Sequence, residues 1–130
     1  MAIIPSLPGF EVVVRVNGVA LQEHRDVYEA EPDTPNRITR YVQATSGARF
    51  DILFSRQQYF QLPIHDIGAD IFLDGHCIKR PLFQTQSLSS PEFKSKIDHC
   101  HEGSNGNFTA RHFMFAELDI STFHRSSPQC

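Results

Sequence analysis

Pro8-Gly9-Phe10-Glu11-Val12-Val13-Val14-Arg15-Val16-Asn17-Gly18 is a β-branched run that ends on Asn-Gly. Asn-Gly after alternating apolar residues is the strongest short-range hairpin signal, because both residues take positive φ at little cost. Phe10, Val12, Val14 and Val16 fall on one face of a period-two strand. Val19-Ala20-Leu21 then reads as the returning strand. The chain therefore opens as β-structure.

The same signals recur along the chain. Arg37 to Ala44 and Ala48 to Ser55 read as strands joined at Ser46-Gly47, with Phe50, Ile52 and Phe54 on one face. Gln57 to Gly68 contains Pro63, has no clean period and reads as an irregular link. Ala69 to Leu73 and His76 to Lys79 form a hairpin over Asp74-Gly75, and Pro81 limits the return or places it at an edge. Gln84 to Pro91 is polar and Ser-rich, hence a loop. Phe93 to His101 and Asn107 to Leu118 close the set around the turn Gly103-Ser104-Asn105-Gly106. No segment sustains a 3.6-residue apolar period. The expectation is a single all-β domain over residues 1–120, an antiparallel β-sandwich of about eight strands, jelly-roll-like, with under about 10% helix. A small closed barrel is the alternative. Residues 121–130 read as a flexible tail or a cut linker.

Composition narrows the function classes. With 130 residues there is room for one core. Eleven Phe and no Trp suit a sandwich interior, since Phe has no polar tip to satisfy. The net charge of −3, with lysine only at 79, 94 and 96, offers no basic surface for nucleic acid or an anionic membrane. No apolar run approaches the roughly 20 residues that span a bilayer. The N-terminus lacks the charged and apolar regions of a signal peptide. Three cysteines, Cys77, Cys100 and Cys130, without a CxxC, argue against a disulfide framework and for a reducing, intracellular compartment. The sequon Asn107-Phe108-Thr109 then reads as a chance match.

Several constellations invite a chemistry. His99-Cys100-His101 places two imidazoles on one strand face, roughly 6.5–7 Å apart along it. Two imidazoles can share a zinc ion, but a closed site needs four ligands and Cys100 points the other way. His99 and His101 are thus the metal candidates, against the plainer reading of two polar residues beside a turn. Asp74 is a turn residue before Gly75, and Asp70, Asp74 and Asp98 show no paired geometry for glycoside hydrolysis. Cys100 as a nucleophile fails on the same alternation. The Gly103 to Asn107 loop lacks the lysine and helix of a phosphate loop. The acidic stretch Glu23 to Asp33 has no glycine to bend a calcium loop, so it reads as solvated. The expectation is no cofactor and no bound metal.

The order of Pro8-Gly9-Phe10, the Val12-Val14-Val16 alternation, Asn17-Gly18, Leu21-Gln22-Glu23, Arg40-Tyr41-Val42, Phe50, Asp74-Gly75 and Phe113-Met114-Phe115 resembles an uncharacterised fungal domain family of unknown function. The likeness covers about residues 5 to 118. His24 stands where the similar sequences have an aromatic residue. The resemblance implies no activity and no site.

What remains is a non-enzymatic protein-interaction module, acting through a strand edge or sheet face on a protein partner or on a second copy as a homodimer. Its candidate contact residues are Val13 on the first strand, Tyr59 and Phe72. A lectin-like carbohydrate-binding sandwich is the alternative, with Tyr28, Tyr41 and Tyr59 as stacking residues. A small hydrolase with a site assembled from distant residues is the third.

Overall fold

The computed structural model describes residues 2–25, 32–104, 106–116, 118–119 and 124–125. Their strands, in chain order, begin with β1 Ala2–Ile3, β2 Phe10–Val16, β3 Val19–Ala20, β4 Glu23–His24, β5 Tyr41–Val42, β6 Asp51–Arg56 and β7 Ile67–Gly68. There follow β8 Ile71–Leu73, β9 His76–Lys79, β10 Leu82–Phe83, the one-turn helix α1 Thr85–Leu88, β11 Lys94–Ile97 and β12 His99–Ser104. The described chain ends with β13 Asn107–His112, β14 Leu118–Asp119 and β15 His124–Arg125. Strand accounts for 46% and helix for 4%, and none of the antiparallel sheets closes on itself. The all-β expectation stands in a form consistent with a sandwich, and the barrel alternative does not. The strands outnumber the expected eight because many pair over only two residues.

The opening run forms as its pattern dictates. Asn17 and Gly18 take φ of 53° and 75°, and β2 turns into β3 across them. Phe10, Val12, Val14 and Val16 contribute to the core. The opposite face pairs polar residues across the ladder. Arg15 makes a bidentate bridge to Asp51, its direct cross-strand partner, at 2.7 and 3.0 Å. Glu11 accepts hydrogen bonds from Ser55 Oγ at 2.9 Å and Gln57 Nε2 at 2.5 Å. Val13 lies between these two sets, opposite Leu53, and is buried at 8% exposure.

The sheet order makes β2 an interior strand, so its Val13 does not lie on an open edge. β6 covers one side of β2 from Phe10 to Arg15. β1 and β3 share the other side, β1 against Glu11 and Val12, β3 against Arg15 and Val16. No ladder of unpaired backbone groups is left on this strand. The far edge of the sheet is β11, paired only with β6. It carries Lys94 and Lys96, charges of the type that guard natural edges.

Other pairings differ from the local reading. A turn does form at Thr45 to Ala48, with the Ala48 N–H donating to the Thr45 carbonyl at 3.0 Å. Yet Tyr41–Val42 pairs with Glu23–His24, not with the segment after the turn. That segment lies against residues 113–115 instead, through Gly47 N–H to Phe115 O at 2.7 Å and Phe115 N–H to Ala48 O at 2.9 Å. Phe93 to His101 is broken at Asp98, where the chain leaves the large sheet for the β12–β13 hairpin. The polar stretch Gln84 to Pro91 contains α1, because Leu88 at 0% exposure drives a turn into the core.

One core serves these elements. Phe10, Phe54, Phe60 and Phe83 form an aromatic group with ring centroids 5.0–6.0 Å apart. Phe50, Phe113 and Phe115 form a second, with Phe50 and Phe115 stacked at 4.5 Å. Tilted and offset rings at these spacings add to the burial of their area.

Candidate functional site

Two surface features hold residues that chemistry or binding can use. The first is the link from Gln57 to Gly68. Its near end is braced against β2: the Gln57 N–H donates to the Gly9 carbonyl at 2.7 Å, and Phe60 N–H closes a turn on the Gln57 carbonyl at 3.1 Å. Phe60 is buried against Phe10, with ring centroids 5.8 Å apart. Its far end is braced by Asp66, which accepts the backbone N–H and the hydroxyl of Thr85, each at 2.8 Å. These hydrogen bonds, the backbone one first, hold the Asp66 carboxyl below its ordinary range.

Between the braces the chain turns apolar side chains outward. Tyr59 is 62% exposed, Leu62 47% and Ile64 92%. Leu82, 62% exposed, sits on β10 opposite Gly68. Phe72 is exposed on the β8–β9 hairpin, whose Asp74-Gly75 turn takes φ of 48° and 81° as the dipeptide predicts. Of the three contact residues read from sequence, Tyr59 and Phe72 are therefore presented to solvent. Val13 is not.

The second feature is the β12–β13 hairpin. His99 and His101 share a face as the alternation requires, with ring centroids 5.1 Å apart. The register places His112 directly across from His99, with centroids 6.2 Å apart. His112 escapes a sequence reading, since its pairing depends on where the hairpin turns. Among the described residues no group of three or more His, Cys, Asp or Glu is arranged to hold a metal ion. Asp98 Oδ1 lies 2.7 Å from His99 Nδ1, and Asp98 Oδ2 lies 3.6 Å from Lys96 Nζ.

The His99 hydrogen bond, aided by the Lys96 charge, keeps the Asp98 carboxyl below its ordinary range, with partial burial opposing it. A carboxylate whose folded-state value is depressed stabilises the fold above its unfolded value, about pH 4. That stability is lost as pH falls through the folded value. Asp98→Asn is expected to flatten the acid limb between pH 5 and pH 2, read as the urea midpoint at each pH. An unchanged acid limb would refute the coupling.

The remaining sequence candidates separate. Asp70 is exposed and 3.7 Å from Arg80, and Asp74 is a turn residue. Cys100 is buried at 2% exposure, its side chain turned away from solvent and from any incoming substrate. Cys77 is free and exposed. Asp33 draws in Arg40 at 2.8 Å and Arg25 at 3.7 Å and Glu23 stands on β4, while the other acidic residues of the stretch, with Tyr28, lie at 26–31, outside the described residues. Asn105 lies outside them too. A groove of ≈ 450 Å³ runs beside α1, lined by Leu82, Gln84, Ser87, Glu92, Phe93 and Lys94 among others. It holds one carboxylate, and glycoside hydrolysis needs two facing one cleft.

The family model for Domain of unknown function (DUF7918) matches residues 9–129. The chain belongs to that family. The match begins at Gly9, the residue under Phe60, and runs through the histidine hairpin and across the expected boundary at residue 120. No curated protein and no solved structure matches the chain. None of the described helices is long and apolar enough to cross a membrane.

Proposed function

We propose that this DUF7918 domain is a non-enzymatic binding module that engages a protein partner, or a second copy of itself, through the braced stretch Tyr59 to Ile64. The observation that carries this reading is Ile64 at 92% exposure, with Tyr59 and Leu62 also exposed, on a segment held at both ends. Covering one large apolar side chain is worth roughly 1.5–3 kcal/mol. Bracing reduces the ordering cost that a floppy loop would incur on binding. The net charge of −3 lets two copies approach without strong repulsion. The carbohydrate reading would use the groove at Phe93, and glycan-array binding lost on Phe93→Ala would favour it instead.

Light scattering across a concentration series tests the proposal, together with recovery of partners from lysate by crosslinking. Ile64→Lys and Tyr59→Ala are expected to weaken self-association or partner recovery at least tenfold. Their melting temperatures should stay within a degree or two, since exposed side chains contribute little to the fold. A chain that stays monomeric at high concentration and captures no partner would overturn the reading.

A further inference from the structure

The geometry points to a divalent transition-metal seat on the β12–β13 hairpin, built on His99 and His101 with His112 as the third imidazole in reach. Imidazole suits zinc, nickel and copper, and binds zinc at about 2.0–2.1 Å. A metal at that distance from a ring nitrogen stands about 3.2 Å from the ring centre. The His99 and His101 rings stand edge-on at 86° with centroids 5.1 Å apart; with a nitrogen of each turned to one ion, that spacing subtends about 105° there, close to the tetrahedral angle. His99 and His112 at 6.2 Å would subtend about 150°, too wide for the same centre. Two of the three side chains thus have the spacing to share one ion, and the third needs a change of rotamer. His112 is exposed and lies at the end of β13. A rotamer change there has no core contact to break, and exposed side chains change rotamer on the nanosecond scale.

A second observation supports the seat. Ligand histidines ordinarily give their other ring N–H to a carboxylate, which fixes the tautomer and the ring orientation. Asp98 Oδ1 stands 2.7 Å from His99 Nδ1, so with the proton on Nδ1 the His99 lone pair is on Nε2. Two ammonium groups lie nearby and both are engaged, Lys96 by the other oxygen of Asp98 at 3.6 Å and Lys79 by the His99 backbone carbonyl at 3.5 Å. Two protein imidazoles leave the remaining coordination positions to water, so this is an open, exchangeable seat and not a structural metal centre.

The test uses the whole chain, purified without a histidine tag and stripped with chelator, titrated with Zn²⁺ by calorimetry and with Co²⁺ by visible absorption. One ion per chain is expected, with a tetrahedral Co²⁺ spectrum. His99→Ala and His101→Ala should each weaken binding at least tenfold. His112→Ala should weaken it less, and Asp98→Asn by roughly tenfold, the lower end of what such supporting carboxylates give. His65→Ala and His76→Ala should leave it unchanged. If a hairpin variant fails to fold, imidazole nitrogen shifts of the wild-type chain on Zn²⁺ addition decide the point. Shifts at His99 and His101 support the seat. No binding at millimolar zinc, binding retained in the His99→Ala, His101→Ala double variant, or shifts confined to other histidines would overturn it.

Discussion

Phe113→Ala is expected to cost about 3–5 kcal/mol, the range for emptying a fully buried phenylalanine site. Phe113 has 0% exposure and packs 5.5 Å from the Phe50 ring. Its backbone is also the join between two sheets. Its N–H donates to the Asp98 carbonyl at 2.8 Å, and its carbonyl accepts the Phe50 N–H at 3.0 Å. The side chain is thus buried at the point where backbone hydrogen bonds tie the histidine hairpin to the segment that feeds β6. Domains of this size have about 5–15 kcal/mol in total, so the loss is a large share of the whole. Chemical denaturation of wild type and variant measures it, with Phe72→Ala as the exposed comparison, expected within about 0.5 kcal/mol. A loss below about 1 kcal/mol at Phe113 would mean that the hairpin is not packed as described.

The second large effect is expected at Gly9. Its φ is +87°, and a Cβ built there would come within 2.9 Å of Phe60 Cα, 3.0 Å of Phe60 Cβ and 3.1 Å of Phe60 N. The obstructing atoms are at or next to the backbone and cannot swing away. Gly9→Ala should cost about 1–2 kcal/mol for the left-handed conformation and a further 1–3 kcal/mol for the overpacking. Gly18→Ala isolates the first contribution, because its φ is +75° and nothing lies within 4 Å of a built Cβ. Equal losses at the two positions would refute the close approach. The Gly9 substitution also has a functional consequence. Phe60 is the near brace of the exposed stretch, so moving it should disorganise Tyr59 to Ile64 and weaken the proposed association, whereas Gly18→Ala should not.

Much of the fold follows from local chemistry. Asn17-Gly18 and Asp74-Gly75 adopt positive φ in the structure because few other dipeptides do so cheaply, and each makes the hairpin it predicts. The alternation of Phe10, Val12, Val14 and Val16 decides which face of β2 is core, since a period of two leaves no other assignment. The shared face of His99 and His101 is readable for the same reason.

Partner choice was not readable. Ala2–Ile3 is too short to announce itself as a strand, yet with the expected return at Val19–Ala20 it covers the side of β2 that faces away from β6. Tyr41–Val42 and Glu23–His24 find each other across a stretch that no local pattern links. Leu88 turns a polar, Ser-rich segment into a helical turn because the core has a place for it. His112 comes to lie beside His99 only through the register of the β12–β13 ladder. Turn geometry and side-chain alternation depend on residues within a few positions of each other, so sequence alone determined the β-class, the hairpins at Asn17-Gly18 and Asp74-Gly75 and the core face of the first strand. Strand neighbours, register and burial depend on contacts across the whole chain. Only the tertiary structure decided which apolar residues stay exposed and which histidines meet.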